Sequence, residues 1–325
     1  MKKFVISLVM VCLVAAAGWA QPLRESVIRT ESVHSAILEE DVMVNVYLPV
    51  GYDQGADKLY PSVYLLHGLS DTYTSWEEKG QMKNVMDQLI ASDEAARMIV
   101  IMPNAGDPDT HNNWNGYFNM PGRRYEDFFF SELIPAMETR FRIQGDKQHR
   151  AIMGLSMGGG GSTVYSQRHP DMFSSCYAMS AWLDNNDPWS DNPQDKLYIV
   201  CKSVHDHSAI DFVKNADDAM LAKLRTVKWF IDCGDDDFLL GLSLNLYQEM
   251  RKRNVAAELR VRDGWHFWAQ IRLRKQHMIF ARVSQLIFAP KWIPALTCSL
   301  RVYGFTLLVL LNSSLDCPSK RFGQS

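Results

Sequence analysis

The pentapeptide Gly154-Leu155-Ser156-Met157-Gly158 constrains this chain most, because of what lies on either side of it. Upstream, Arg150-Ala151-Ile152-Met153 reads as a short buried strand, and downstream Gly159-Gly160-Gly161-Ser162-Thr163-Val164-Tyr165 can open a helix. A Gly-x-Ser-x-Gly at a strand-to-helix turn has the pattern of a nucleophile elbow. The turn is so tight that side chains at the flanking positions would collide, so glycine is needed at 154 and 158. It holds the Ser156 hydroxyl clear of the backbone at a helix N-terminus, whose partial positive charge favours a developing oxyanion.

A strand that feeds a helix in this way belongs to an alternating chain, and the alternation continues on both sides. Strand-like apolar runs are Val42–Leu48, Ser62–Leu66, Met98–Met102, Ala151–Leu155, Ser175–Met179, Val227–Cys233 and Glu258–Val261. Between them, Gln81–Ser92, Glu126–Phe141, Gly158–Arg168, Asp211–Leu224 and Leu242–Arg253 carry apolar residues at helical spacing. Continuous apolar strands covered on both faces, in alternation with helices, predict an α/β fold with a mostly parallel central sheet and helices on both faces. Ligands in such sheets bind at the carboxyl ends of the strands, where Ser156 falls. The stretch Trp182–Ile210 is rich in Asp, Asn, Pro and Ser and interrupts the alternation, so it is expected to form a loop or small cap-like insertion beside that face. With no repeat or low-complexity linker, one domain over residues 21–290 accounts for the alternation.

Lys2 and Lys3 followed by the apolar Phe4–Ala17 and the small-x-small Gly18-Trp19-Ala20 form the pattern of a secretory signal peptide. Cleavage is expected after Ala20, which places the mature chain outside the cytoplasm, in the periplasm or the medium. The apolar run is too short to span a bilayer, and so is Phe305–Leu311 in the C-terminal tail, residues 291–325, to which no role is assigned. A net charge of −3 leaves no basic footprint for nucleic acid. Beyond the signal the cysteines are Cys176, Cys201, Cys233, Cys298 and Cys317, an odd number that is no disulfide framework. Cys176 and Cys233 lie in strand-like runs and read as small buried hydrophobes. His205-Asp206-His207 resembles a ligand cluster, but neighbouring residues in a polar loop seldom converge on one ion, so no metal is expected.

A serine nucleophile needs a base to take its proton and a carboxylate to orient that base, in the chain order Ser, acid, His for an elbow. The acid is sought in Gly234-Asp235-Asp236-Asp237-Phe238-Leu239, directly after the strand Val227–Cys233. Asp237 is the choice, with Asp235, Asp236 and Asp232 as alternatives. Only His266 and His277 lie beyond this loop. His266 follows a strand and the turn Asp263-Gly264, whereas His277 sits within a helix-like run, so His266 is the expected base. Backbone N–H groups of Met157, next to the nucleophile, and of Leu69, in the loop His67-Gly68-Leu69-Ser70, are the expected oxyanion donors. His67 itself reads as a brace for that loop.

These residues resemble the esterase D-like branch of the α/β-hydrolases, which includes S-formylglutathione hydrolases, tributyrin esterases, feruloyl and acetyl-xylan esterases, and mycolyltransferases. The likeness runs through Leu65-Leu66-His67-Gly68, Met102-Pro103-Asn104, Tyr125-Glu126-Asp127, Glu132-Leu133-Ile134-Pro135 and Arg150–Gly159. It continues through Asp232–Asp237 and Gly264-Trp265-His266-Phe267-Trp268, and so covers about residues 35–270. Beyond Trp268 the chain departs from the pattern. The resemblance implies the α/β-hydrolase fold, Ser156, Asp237 and His266 as the triad, Leu69 and Met157 at the oxyanion hole, and no cofactor.

Export points away from a cytosolic thioester and toward an extracellular ester, acetyl or feruloyl groups on plant polysaccharide. Asn112, Asn113 and Trp114, in the loop after Met98–Met102, are expected to line a sugar-facing pocket, with Trp182 and Trp189 as further candidates. An acyltransferase using the same triad, or a carbohydrate-binding protein on a hydrolase scaffold, are the competing readings.

Overall fold

Burial on both faces is what the apolar runs achieve: Ser62–Leu66, Ile99–Pro103, Arg150–Leu155 and Ser175–Met179 are buried at every position. The computed structural model describes residues 23–106, 116–187 and 189–266. The expected signal segment 1–20 and the tail 291–325 lie outside the described residues. Every described residue belongs to one compact unit.

The strands are β1 (Val27–Ser35), β2 (Glu40–Leu48), β3 (Ser62–Leu66), β4 (Ile99–Pro103), the short pair β5 (Asn119–Met120) and β6 (Arg123–Arg124), β7 (Arg150–Leu155), β8 (Ser175–Met179), β9 (Lys228–Gly234) and β10 (Ala257–Arg262). Eight of them form one sheet in the order β1-β2-β4-β3-β7-β8-β9-β10. The pairs β1–β2 and β2–β4 are antiparallel, and the rest of the sheet is parallel. This is the α/β-hydrolase arrangement. From β3 the chain crosses to β4 on one side and then returns to place β7 on the other, so the order reverses between β3 and β7. The crevice at such a reversal is where an open α/β sheet offers room for a ligand.

Alternate side chains feed two cores. Tyr64, Leu66 and Ile152 pack with Val164 and Tyr165 of the helix Met157–Arg168 on one face. Val63, Leu65, Ala151, Met153 and Leu155 pack with Met82, Val85, Met86 and Leu89 of the helix Met82–Ala91 on the other. No helix of the described residues is long and apolar enough to cross a membrane.

Three elements differ from the sequence-based expectation. β1 lacks an apolar run because it is the edge of the sheet and buries only Val33 and Ser35. The expected helix Asp211–Leu224 is two helices, Ala209–Asn215 and Asp218–Leu224, separated by Ala216 in extended conformation. Each starts on its own cap: the Ser208 hydroxyl accepts from Asp211 N at 3.2 Å and the Asp217 carboxylate from Met220 N at 2.7 Å. The polar stretch 182–210 contains the helix Lys196–Asp206, which starts on an Asp195 cap and sends Val200, Cys201 and Val204 into the main core. Its polar composition reflects caps and turns around a docked helix.

Candidate active site

β7 ends in the middle of the sheet, and the chain leaves it through Ser156 with φ 57° and ψ −116°. That left-handed conformation is uncommon outside glycine and is held from both sides. Ser156 N donates to Met179 O at 2.9 Å, while Ser156 O accepts from Gly160 N at 3.0 Å and Trp182 N at 2.9 Å. A Cβ at Gly154 would stand 2.1 Å from Gly158 O, and one at Gly158 would stand 2.4 Å from Leu66 O. The collision argued from the pentapeptide is thus one between backbones, which no rotamer change relieves.

The same edge of the sheet brings in two further side chains. His266 Nε2 lies 2.9 Å from Ser156 Oγ, and its Nδ1 lies 3.0 and 2.9 Å from the two Asp237 oxygens. An ionised carboxylate can only accept, so Nδ1 carries the proton and Nε2 faces the serine hydroxyl with a lone pair. Asp237 is 5% exposed. Burial pushes its carboxyl up, but hydrogen bonds from His266, the Ser180 hydroxyl and Leu239 N outweigh this and hold it below the usual carboxylate value.

The neighbouring acids do other things. Asp235 Oδ1 accepts from Gly264 N at 2.7 Å, and Asp235 N and Asp236 N donate to Arg262 O and Gly264 O. These bonds zip the acid loop to the loop that carries His266. Asp232 accepts from Tyr177 Oη at 2.9 Å and pairs with Arg262, yet burial still raises its carboxyl above the ordinary value. Ser180 was not anticipated from sequence. It sits at φ 43° just past the end of β8, between the strands that carry Ser156 and Asp237, and that strand-end position was the available signal.

The loop after β3 lies alongside Ser156: a Cβ on Gly68 would stand 3.6 Å from Ser156 Cβ. Leu69 follows in that loop, and Met157 opens the helix Met157–Arg168, where a first-turn N–H has no intrahelical acceptor. His67 is buried, accepts from Ala105 N at 2.9 Å through Nε2, and its Nδ1 donates to Gly68 O at 2.8 Å. Burial lowers its pKa, so the ring is a neutral brace for the loop.

Trp182 stands next to Ser156 through its backbone, but its ring is buried and stacked at 4.9 Å on Trp189. Asn112, Asn113 and Trp114 lie outside the described residues. On the other side, the exposed Phe238 ring sits 4.5 Å from the His266 ring, and Trp265 is exposed beside it. His205 and His207 diverge: His205 approaches Asp184 at 3.3 Å, and His207 donates to Ser203 O at 2.7 Å and stacks on Phe118. Among the described residues three acids converge at Asp235, Asp236 and Asp263, all exposed.

The Esterase family model matches residues 35–276, a span that contains every one of these loops. The chain belongs to the Esterase family. A solved ferulic acid esterase is 45% identical with a TM-score of 0.77, over 81% of this chain and 99% of that one. An endo-1,4-beta-xylanase/feruloyl esterase of Xylanibacter ruminicola is 37% identical over 132 residues, 40% of this chain and 18% of that protein. The chain thus spans less than a fifth of this curated relative. An S-formylglutathione hydrolase from Staphylococcus aureus, at 19% identity and a TM-score of 0.62 over 81% of this chain and 99% of that one, shares the fold.

In this esterase Cys176, Cys201 and Cys233 are buried free thiols. Burial raises each of them to about 11, so they stay protonated and inert at neutral pH. Asp237 has a measurable acid signature. Because folding lowers its pKa, the stability it contributes is full above the unfolded value of about 4 and is lost as pH falls toward the folded value. Urea unfolding of the wild type and Asp237→Asn between pH 6 and pH 3 is expected to show a steeper loss in the wild type. Parallel slopes would mean that the carboxylate is not held by these bonds.

Proposed function

We propose that this protein is a secreted serine esterase that releases feruloyl groups from plant polysaccharide. The observation that carries the reading is the chain of contacts Asp237–His266–Ser156 at a strained elbow. Ser156 Oγ, its proton passing to His266 Nε2, attacks the ester carbonyl. Asp237 stabilises the imidazolium, and the N–H groups of Leu69 and Met157 receive the oxyanion. His266 then gives its proton to the leaving sugar hydroxyl, and water repeats the sequence on the acyl-enzyme. The signal-like N-terminus supports export.

Feruloyl is favoured over acetyl by the aromatic surface at the base. Phe238 presents an exposed ring 4.5 Å from His266, a face that a phenyl acyl group can use and an acetyl group cannot. The likeness to a ferulic acid esterase over 99% of that chain supports the same choice. The test compares ferulate released from methyl ferulate and feruloylated arabinoxylan with acetate released from acetyl-xylan. Ferulate release is expected to be at least about tenfold faster, a difference of about 1.4 kcal/mol. Faster acetate release would overturn the feruloyl assignment, and no release of either would overturn the esterase mechanism.

A further inference from the structure

The loop after β8 builds an aromatic step that the chemistry of the triad does not use. Trp182 N bonds to Ser156 O at 2.9 Å, so this residue is anchored directly to the nucleophile's backbone. Its indole is 3% exposed and stacks on Trp189 at 4.9 Å with an interplanar angle of 11°, and its Nε1 donates to Asn185 Oδ1 at 3.2 Å. Trp189, 49% exposed, therefore has one face covered by Trp182 and the other turned to solvent.

Such an arrangement has a cost. A large apolar ring is left half in water, and its backbone is held at φ 51°, a conformation that costs a non-glycine residue on the order of 1 kcal/mol. The ring is not loose. Trp189 N donates to Asp187 Oδ1 at 3.2 Å, and the next residue, Ser190, donates to Asp195 Oδ2, the cap of the helix Lys196–Asp206. Asn185, the partner of Trp182, also lines a cavity of about 210 Å³ with Asn186, Tyr198 and His205. This is smaller than the roughly 300 Å³ of a drug-sized site and carries amide, phenol and imidazole groups.

An open indole face and a small polar cavity, joined through Trp182 and its partner Asn185, match the two surfaces of a sugar ring. The C–H face stacks on the aromatic, and the hydroxyls take the amides and the phenol. A feruloyl ring would use the flat face but has little to offer the polar lining.

We propose that Trp189, with the cavity at Asn185, Asn186 and Tyr198, is a carbohydrate subsite that holds the polysaccharide from which Ser156 removes the acyl group. This rests on the esterase reading above but assigns a separate surface. The subsite acts on the alcohol portion of the ester, so its removal leaves small esters untouched.

The test uses the full chain and two readouts. Trp189→Ala is expected to lower kcat/KM on a feruloylated arabinoxylo-oligosaccharide about tenfold, mainly through KM, and to change methyl ferulate turnover less than twofold. Trp189→Phe should restore part of the loss, because it keeps an aromatic face. Calorimetric binding of unesterified arabinoxylo-oligosaccharide to Ser156→Ala, with and without Trp189→Ala, reads the same subsite independently of turnover. Equal binding by the two would overturn the proposal. An equal loss on methyl ferulate and on the oligosaccharide would also overturn it, by assigning Trp189 to the acyl group. Absence of methyl ferulate turnover in the wild type would count against the esterase mechanism alone, and the binding comparison would still decide the subsite.

Discussion

Ser156→Ala is expected to lower kcat on methyl ferulate by about a millionfold, with folding and KM nearly unchanged. Triad members act as a unit, so removing the nucleophile forfeits almost the whole covalent route and leaves a residue of about 10³ to 10⁴ over water from binding and the oxyanion donors. His266→Ala should cost a similar factor, because without Nε2 at 2.9 Å nothing takes the Ser156 proton. Asp237→Asn should cost less, about ten-thousandfold, since the ring stays in place but Nδ1 no longer faces an obligate acceptor and the tautomer is wrong. The order of the three losses is as informative as their size. Burst kinetics and a Ser156→Ala variant within tenfold of the wild type would show that another group performs the attack.

Gly154→Ala is expected to lower stability by about 3 kcal/mol or more, the upper end for forcing a methyl group into a close-packed interior. The new Cβ would stand 2.1 Å from Gly158 O and 2.2 Å from Gly158 C, both backbone atoms at the first turn of a helix. Relief would require that helix to move off the strand end, and Ser156 would move with it away from His266. Activity should therefore fall together with the urea midpoint. Gly241→Ala is the matched control. It lies in the helix Leu240–Lys252 with nothing within 4 Å of the added methyl, so it should be neutral or stabilising by up to about 1 kcal/mol. Equal effects of the two substitutions would refute the steric account of the elbow.

The elbow, its glycines and the histidine that meets Ser156 were legible in sequence because each depends on neighbours only a few residues away. An apolar strand followed by a tight turn reports its own strain, and His266 was singled out by a strand and turn just upstream. The fold class followed from the same periodicities. Asp237 was legible only as one of four acids around a single strand end. Choosing among them depends on the bonds that zip two loops together: Asp235 turns to Gly264 N and Asp232 to Tyr177 and Arg262, which leaves Asp237 facing the imidazole.

Ser180 and Trp182 show the other side of the division. The strand-end position of Ser180 marks it as lying on the site's edge of the sheet, but does not mark it as a partner of Asp237. It becomes one because β8 lies between β7 and β9 in the sheet. Trp182 reads as an available aromatic from composition, and only stacking under Trp189 covers its ring and moves the open face to its neighbour. The edge strand β1 and the break at Ala216 escaped for a related reason, since one-sided burial and a local cap leave weaker periodicity than a strand covered on both faces. Local sequence settles where the backbone must turn and which side chain stands at the turn, because sterics act over a few residues. Which distant side chains meet there, and which faces are left to solvent, depends on strand order, and that is decided by how the whole sheet packs.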